Sequence, residues 1–259
     1  MNMINKKRVE IISKLCIINI GDKMKKIFTT ILIMILTISL TGCSEQKVEK
    51  TDAIKFKEEY EKNNGVKNEK YNVVTRTLNI PEDNPMVYAS AEEIIKKIDN
   101  KETFVVYFGF SDCPWCRSVI EELIHVAKDL KVEKVYYVDV KELRDVKELD
   151  DENNVITSKE GDKHYMELLT KLDKVLADYT LTDKDGNEVS AGEKRIYAPN
   201  VVGVQNGEPT ELETGESEKL TNPYDELTDE MRKETYNKLK CVFKCLEEKD
   251  TYTCKKNMC

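Results

Sequence analysis

Residues 104–108, Phe-Val-Val-Tyr-Phe, form an unbroken apolar, aromatic and β-branched run, the composition of a strand buried on both faces. From Pro114 the period changes. Val119, Ile120, Leu123, Ile124, Ala127 and Leu130 keep one face of a helix apolar. Upstream, Ser90 and Glu93 have the spacing of a capping box, opening a helix with Ile94, Ile95 and Ile98 inward. Met86, Val87 and Tyr88 before it can open a sheet, and 132–140 reads as the next buried strand. This β-α-β-α-β order implies parallel strands joined by right-handed crossovers.

The flanks are less regular. Residues 51–63 predict a helix with Ala53, Phe56 and Tyr60 on one side, broken at Asn64-Gly65. Residues 71–80, rich in Val and Thr, predict a strand, and 81–85 a loop. Between Val140 and Pro199 lie 58 residues, 141–198. Their first part is charged and reads as solvated loop. A helix follows over 164–179, with Tyr165, Leu168, Leu169, Leu172, Val175, Leu176 and Tyr179 on one face. A hairpin is expected over 180–189 around Asp185-Gly186. The Asp183–Asn187 string is a turn rather than a calcium loop, because a loop with Gly186 as its glycine would end on Gly192. Asn206-Gly207 predicts another hairpin, 210–213 an edge strand, and Thr228 the cap of a last helix reaching about Glu248.

The first 42 residues stand apart from this pattern. Met24-Lys25-Lys26 begins a positive segment, followed by a 14-residue apolar run, 27–40, too short for a comfortable membrane span. The run ends in Leu40-Thr41-Gly42-Cys43, which resembles the bacterial lipobox. That resemblance implies cleavage before Cys43 and a diacylglyceryl group on its sulfur. The ordinary signal start at Met24 makes Met24 the expected initiator. The expected organisation is therefore 1–42 removed, 43–85 a tether and N-terminal extension, 86–248 the main domain with an insertion at 141–195, and 249–259 a Cys-rich tail.

Removal of 1–42 changes the charge picture. The 259-residue chain carries −8; without seven Lys/Arg and two Asp/Glu it carries 34 against 47, or −13 over 217 residues. So acidic a body argues against nucleic acid as a partner. An anionic membrane would also repel it, leaving the lipid on Cys43 as the membrane attachment. Six cysteines besides Cys43 remain, an even number suited to a disulfide-permissive compartment.

Two of them carry the chemistry. The strand–turn–helix pattern places Cys113 at a helix N-cap, Pro114 at the first helical position, and Cys116 one turn inside. A thiolate at a helix N-terminus meets unpaired N–H groups and the positive end of the dipole, so its pKa falls and it becomes a nucleophile. Cys116 can then attack the mixed disulfide and release the partner. This unit resembles the thioredoxin superfamily, whose hallmark is a strand–CxxC–helix of this kind. Ala198-Pro199, ahead of an antiparallel strand, is similar to the family's second landmark, a cis-proline facing the CxxC. The resemblance implies that Pro199 shapes the client groove and that Ala198 holds client backbone. Pro114 and Trp115, between the cysteines, face the partner in the same comparison. Trp115 suits an aromatic anchor for an extended polypeptide or, equally, packing against the neighbouring loop. The implied fold is α/β, a thioredoxin-like central mixed sheet flanked by helices. Its additions are an N-terminal extension, a helical and hairpin insertion before the cis-proline, and a Cys-rich C-terminal tail. One position departs from the family: Tyr107 stands where many thioredoxins bury an acid that assists the second cysteine, and a phenol is a poor acceptor near neutral pH.

His125 shares its helix side with Ser118, Glu121, Glu122 and Lys128, a solvent side, and His164 has no evident partner; neither suggests a metal ligand. Cys241, Cys245, Cys254 and Cys259 form C-x3-C-x8-C-x4-C at the end of the chain. Structural disulfides, nested as Cys241–Cys259 and Cys245–Cys254, are the favoured reading. Zinc held by four thiolates and a redox relay to Cys113 are the alternatives. In the family the last helix starts beside the active site and runs away from it, which favours the structural role.

The chain is thus expected to be a membrane-tethered, extracytoplasmic thiol–disulfide oxidoreductase, similar to thioredoxin-like lipoproteins of the bacterial cell envelope. It needs no cofactor beyond the redox-active Cys113–Cys116 pair. Its expected partners are cysteine-containing exported proteins and a membrane or envelope redox protein. The rival expectation is a non-catalytic accessory lipoprotein that binds polypeptides during export or assembly.

Overall fold

A computed structural model describes residues 49–69 and 72–247, apart from the side chains of Asn68, Lys244, Cys245 and Glu247. Cys43, Cys254 and Cys259 lie outside the described residues, as does the 249–259 tail. Helix α1 (Asp52–Glu61) is capped by Thr51 and buries Phe56 and Tyr60. A two-residue ribbon follows, β1 (Lys67–Asn68) paired with β2 (Val73–Val74). The strand expected over 71–80 is confined to those two residues. Beyond them, side chains take the place of a neighbouring strand. Asn64 bonds both the amide and the carbonyl of Leu78, at 3.0 and 2.9 Å, and Glu61 accepts from the Ile80 amide at 2.7 Å.

The central elements follow the pattern. They are β3 (Met86–Tyr88), α2 (Ala91–Asp99), β4 (Phe104–Gly109), α3 (Pro114–Asp129) and β5 (Val135–Asp139). The Ser90–Glu93 capping box is formed in both directions. All six residues of β4 are buried, as an uninterrupted apolar run requires.

The insertion differs from its expectation. After a turn over 141–145 its charged first part is solvated, as expected, but forms a hairpin rather than a loop, β6 (Val146–Leu149) against β7 (Val155–Lys159). Helix α4 (Lys163–Leu172) stops at its C-cap Asp173 rather than continuing to 179. Leu176 and Tyr179 are still buried, but Tyr179 belongs to the strand β8 (Ala177–Thr182). Two successive elements that each bury residues at this interval maintain a spacing that reads as one helix. β8 pairs with β9 (Glu188–Arg195), a longer hairpin than the pattern predicts. The chain finishes with β10 (Asn200–Gln205), β11 (Glu208–Glu213) and α5 (Asp229–Glu247). No helix among the described residues is long and apolar enough to cross a membrane.

The five-stranded sheet runs β11-β10-β4-β5-β3. β4 is parallel to β5, which is parallel to β3, while β10 is antiparallel to both β4 and β11. The fold is therefore α/β with a mixed central sheet flanked by helices, compatible with a thioredoxin-like arrangement. One face of the sheet packs Phe56 and Tyr60 of α1, Ile120 and Leu123 of α3, and Leu239 and Phe243 of α5. The other packs Ile94, Ile95 and Ile98 of α2 with Leu168 and Leu172 of α4. Asn206 and Gly207 turn β10 into β11 with φ of 53° and 79°, the left-handed pair of a tight hairpin.

Gly109, the last residue of β4, is fixed by its neighbour two positions back. A Cβ at Gly109 would sit 2.3 Å from the Tyr107 hydroxyl and 2.4 Å from its ring carbon Cζ. The Tyr107 ring is stacked on Tyr137 at 5.6 Å and has no room to withdraw. Gly109→Ala is expected to cost about 1–3 kcal/mol by overpacking, read as a lower denaturant midpoint at unchanged slope.

Candidate active site

Cys113 is the N-cap of α3, with extended backbone at φ −72° and ψ 118°, and Pro114 opens the first turn. The Cys116 amide donates to Cys113 Sγ at 3.3 Å. Both cysteines are free thiols and both are buried, Cys113 at 4 % exposure and Cys116 at none. Cys113 is held below the ordinary thiol range, first by the Cys116 thiol donating to it. The Cys116 and Trp115 amides and the positive charge of Arg144 add to this, against burial. Cys116 moves the opposite way: burial, then the bond and charge of Cys113, push its thiol well up. The arrangement favours the thiolate at Cys113 and the protonated thiol at Cys116.

Tyr107 lies behind Cys116. Its phenol interacts with the Cys116 sulfur, favouring the thiolate, and shares a 2.9 Å hydrogen bond with the Tyr60 hydroxyl. Tyr60 comes from α1, so the N-terminal extension supplies part of the wall around the second cysteine. Burial raises both phenols well above their ordinary value, keeping them as neutral hydrogen-bonding groups.

Arg117, next to Cys116, is 1 % exposed. Among the described residues its guanidinium pairs with no carboxylate. Nη1 donates to the Tyr60 carbonyl at 2.7 Å and the Ser111 carbonyl at 3.1 Å. Nη2 donates to Asn64 Oδ1 at 2.6 Å, and Nε to the Arg76 carbonyl at 3.2 Å. Burial lowers its pKa. The side chain thereby ties α1 and the segment after it to the turn that presents Cys113. Sequence reasoning missed this residue, although Arg117 falls three and seven positions before Ile120 and Ile124, on the apolar face of its helix.

The Ala198–Pro199 peptide is cis, and the Ala198 carbonyl accepts from Cys113 Sγ at 3.4 Å. Pro199 is buried and Ala198 partly exposed. Asn200 fixes this segment: its Oδ1 accepts from the Tyr197 amide at 2.7 Å and its Nδ2 donates to the Pro199 carbonyl at 3.0 Å. Arg195, just upstream, forms a buried pair with Asp145, at 3.0 Å to Oδ1 and 3.0 Å to the Asp145 carbonyl. Residues 141 and 142 are exposed turn, as expected, whereas Arg144 and Asp145 turn inward to the site. Arg144 lies over the Phe110 ring at 5.2 Å, Lys141 over the same ring at 5.8 Å, and Lys141 also pairs with Asp112.

Trp115 is half-buried, packed against the core cluster that contains Cys113. His125 is exposed, beside Glu122 at 3.2 Å and Tyr236, and His164 pairs with Asp162; neither approaches the cysteines. Among the described residues no group of three or more His, Cys, Asp and Glu side chains could hold a metal ion. Cys241 is buried in α5 and disulfide-bonded, its partner lying outside the described side chains. Cys245 lies one turn further along α5, and the pairing with Cys254 and Cys259 falls outside the described residues.

These opposed shifts have a measurable signature. Cys113 is expected to be alkylated by iodoacetamide with a pH midpoint below the ordinary thiol value of about 8.5. Cys116 should react only at higher pH. Replacing Arg144 by Met removes a positive charge beside the thiolate, so the Cys113 midpoint should rise and its rate at neutral pH fall. The sign also fixes a stability effect. Ionised Cys113 stabilises the reduced protein above the unfolded thiol pKa, and the gain disappears as pH falls through the folded value. Peptide mapping of alkylated cysteines across pH checks the midpoints, and denaturant unfolding of the reduced protein across the same pH range checks the stability effect.

No known family profile matches the chain, and no curated protein matches it.

Proposed function

We propose that the protein is a thiol–disulfide oxidoreductase of thioredoxin-like fold, lipid-anchored through Cys43 on the outer side of the cell membrane. The observation that carries the reading is Cys113 itself. Its sulfur lies 3.3 Å from the amide of Cys116 and 3.4 Å from the carbonyl that precedes the cis-proline. The strand order and the parallel and antiparallel pairings around β4 support the fold; the lipobox-like Leu40-Thr41-Gly42-Cys43 supports the anchor.

In the reaction the Cys113 thiolate attacks a client disulfide and expels one client sulfur as thiolate. The Cys116 thiolate then attacks Cys113 Sγ, forming the Cys113–Cys116 disulfide and expelling the second client sulfur. Two electrons pass to the client and the enzyme dithiol is oxidised; the reverse sequence oxidises a client dithiol. The Ala198 backbone and Pro199 bound the groove, and Pro114 and Trp115 face the arriving chain. Clients are cysteine-containing exported proteins, and an envelope redox protein resets the pair. No cofactor takes part in either step.

Cys116→Ser should trap mixed disulfides between Cys113 and client proteins, visible as reducible high-mass bands, while Cys113→Ser should trap none. Insulin reduction coupled to dithiol should fall by at least about a hundredfold in Cys113→Ser, the loss of a nucleophile. Equal turnover in wild type and Cys113→Ser would replace this reading with that of a non-catalytic binding lipoprotein.

A further inference from the structure

Cys116 has to lose a proton in a place that water does not reach. It is fully buried, and burial raises its thiol pKa. Among the described residues the one buried acid is Asp145, and it is committed to Arg195. The neighbouring Arg117 has its donors occupied by carbonyls and by Asn64. The position from which a carboxylate could assist is occupied by Tyr107.

The phenols continue from there to the surface. Tyr107 Oη lies 2.9 Å from Tyr60 Oη. Tyr60 and Tyr137 meet edge to face with ring centroids 6.0 Å apart, and their hydroxyls interact. Tyr137 Oη donates to Glu59 Oε1 at 3.1 Å. Tyr60, Tyr107 and Tyr137 are each fully buried, whereas Glu59 reaches solvent. Its other oxygen accepts from Tyr88.

We infer that the hydroxyls of Tyr107, Tyr60 and Tyr137 form a proton relay that carries the Cys116 proton to the Glu59 carboxylate. This rests on the reading of Cys113 and Cys116 as an exchanging pair. In the mixed disulfide, the Cys116 thiol proton passes to Tyr107 Oη. The Tyr107 proton passes to Tyr60, that of Tyr60 to Tyr137, and that of Tyr137 to Glu59, which becomes a carboxylic acid. Each tyrosine gives one proton and receives one, so none is left charged. The Cys116 sulfur, now a thiolate, forms its bond to Cys113 Sγ as the Cys113–client bond breaks and the client leaves as thiolate. Glu59 then releases its proton to water. Afterwards the Tyr107 O–H points back at the sulfur it has deprotonated, in keeping with its favouring of the Cys116 thiolate.

The groups that face the two ends are few. Cys116 is faced by Cys113 on its own helix, Tyr107 on β4 and Tyr60 on α1. Glu59 is faced by Tyr88 on β3, Tyr137 and Asp139 on β5; Asp52 of α1 bonds the Tyr88 amide beside it.

The test follows reduced protein mixed with a dithiobis(nitrobenzoate) probe by stopped flow between pH 5.5 and 10. The first thionitrobenzoate released reports attack by Cys113 and is the internal reference. The second reports resolution by Cys116. In Tyr107→Phe, Tyr60→Phe and Glu59→Gln the second release is expected to slow about tenfold or more at pH 7, the scale of a lost proton-transfer group. In Glu59→Gln the difference should narrow at high pH, where hydroxide in the solvent beside residue 59 takes the proton that Tyr137 would have passed on. Glu59→Gln leaves every buried ring in place, so it answers the question even if a phenylalanine variant fails to fold. A second release with unchanged rate and pH profile in Glu59→Gln would overturn the relay while leaving the oxidoreductase reading intact. Wild-type protein giving no second release would overturn both.

Discussion

The site depends on how one buried positive charge finds its partners. A guanidinium carries five N–H donors and tolerates burial only when they are met. Arg117 meets them with carbonyls of Tyr60, Ser111 and Arg76 and with Asn64, acceptors drawn from α1, from the segment after it, and from the active-site turn. Each acceptor has to hold its place for the charge to be satisfied. The requirement therefore docks the N-terminal extension against α3 and brings Tyr60 to Tyr107 behind the second cysteine. Carbonyls solvate the cation without adding a negative charge, so no anion is introduced beside Cys116 to hinder its ionisation.

The parts of this molecule legible in its sequence are those set by local rules. The β4 run, the Ser90–Glu93 capping box, Cys113 as N-cap with Pro114 behind it, and the Asn206-Gly207 turn each depend on residues a few positions apart. What stayed hidden depends on distant partners. The 71–80 segment has strand composition, but Asn64 and Glu61 satisfy its backbone in place of a second strand. Residues 164–179 keep a helical spacing of buried positions although α4 ends at Leu172, because β8 returns Tyr179 to a buried position beside Arg195. Arg117 and Asp145 look like surface charges until distant partners are in place, Tyr60, Asn64 and Arg76 for the one and Arg195 for the other. Long-range polar pairing leaves no periodicity to read.

Tyr107 illustrates how one such pairing shapes a neighbourhood. Its ring needs space over β4, and Gly109 provides it by having no side chain. The hydroxyl at the end of that ring needs a partner, and Tyr60 supplies one. Tyr137 stacks on the same ring and extends the aromatic layer to Phe56 and Tyr88. Strand, extension and sheet edge are thus packed around a single phenol, so the second cysteine and the N-terminal helix belong to one structural unit.

The pair between Asp145 and Arg195 connects the opposite side of the site. Asp145 follows Arg144, whose charge acts on Cys113, and Arg195 precedes the segment that carries Ala198 and Pro199. Losing one member leaves a buried charge without its counter-ion, a change of about 3–5 kcal/mol, whereas exchanging both for apolar residues of similar volume is often neutral. Single replacements at either position are therefore selected against and joint ones are not. The two positions are expected to vary together, because the pair closes the two ends of the 141–195 insertion on each other just ahead of the cis-proline.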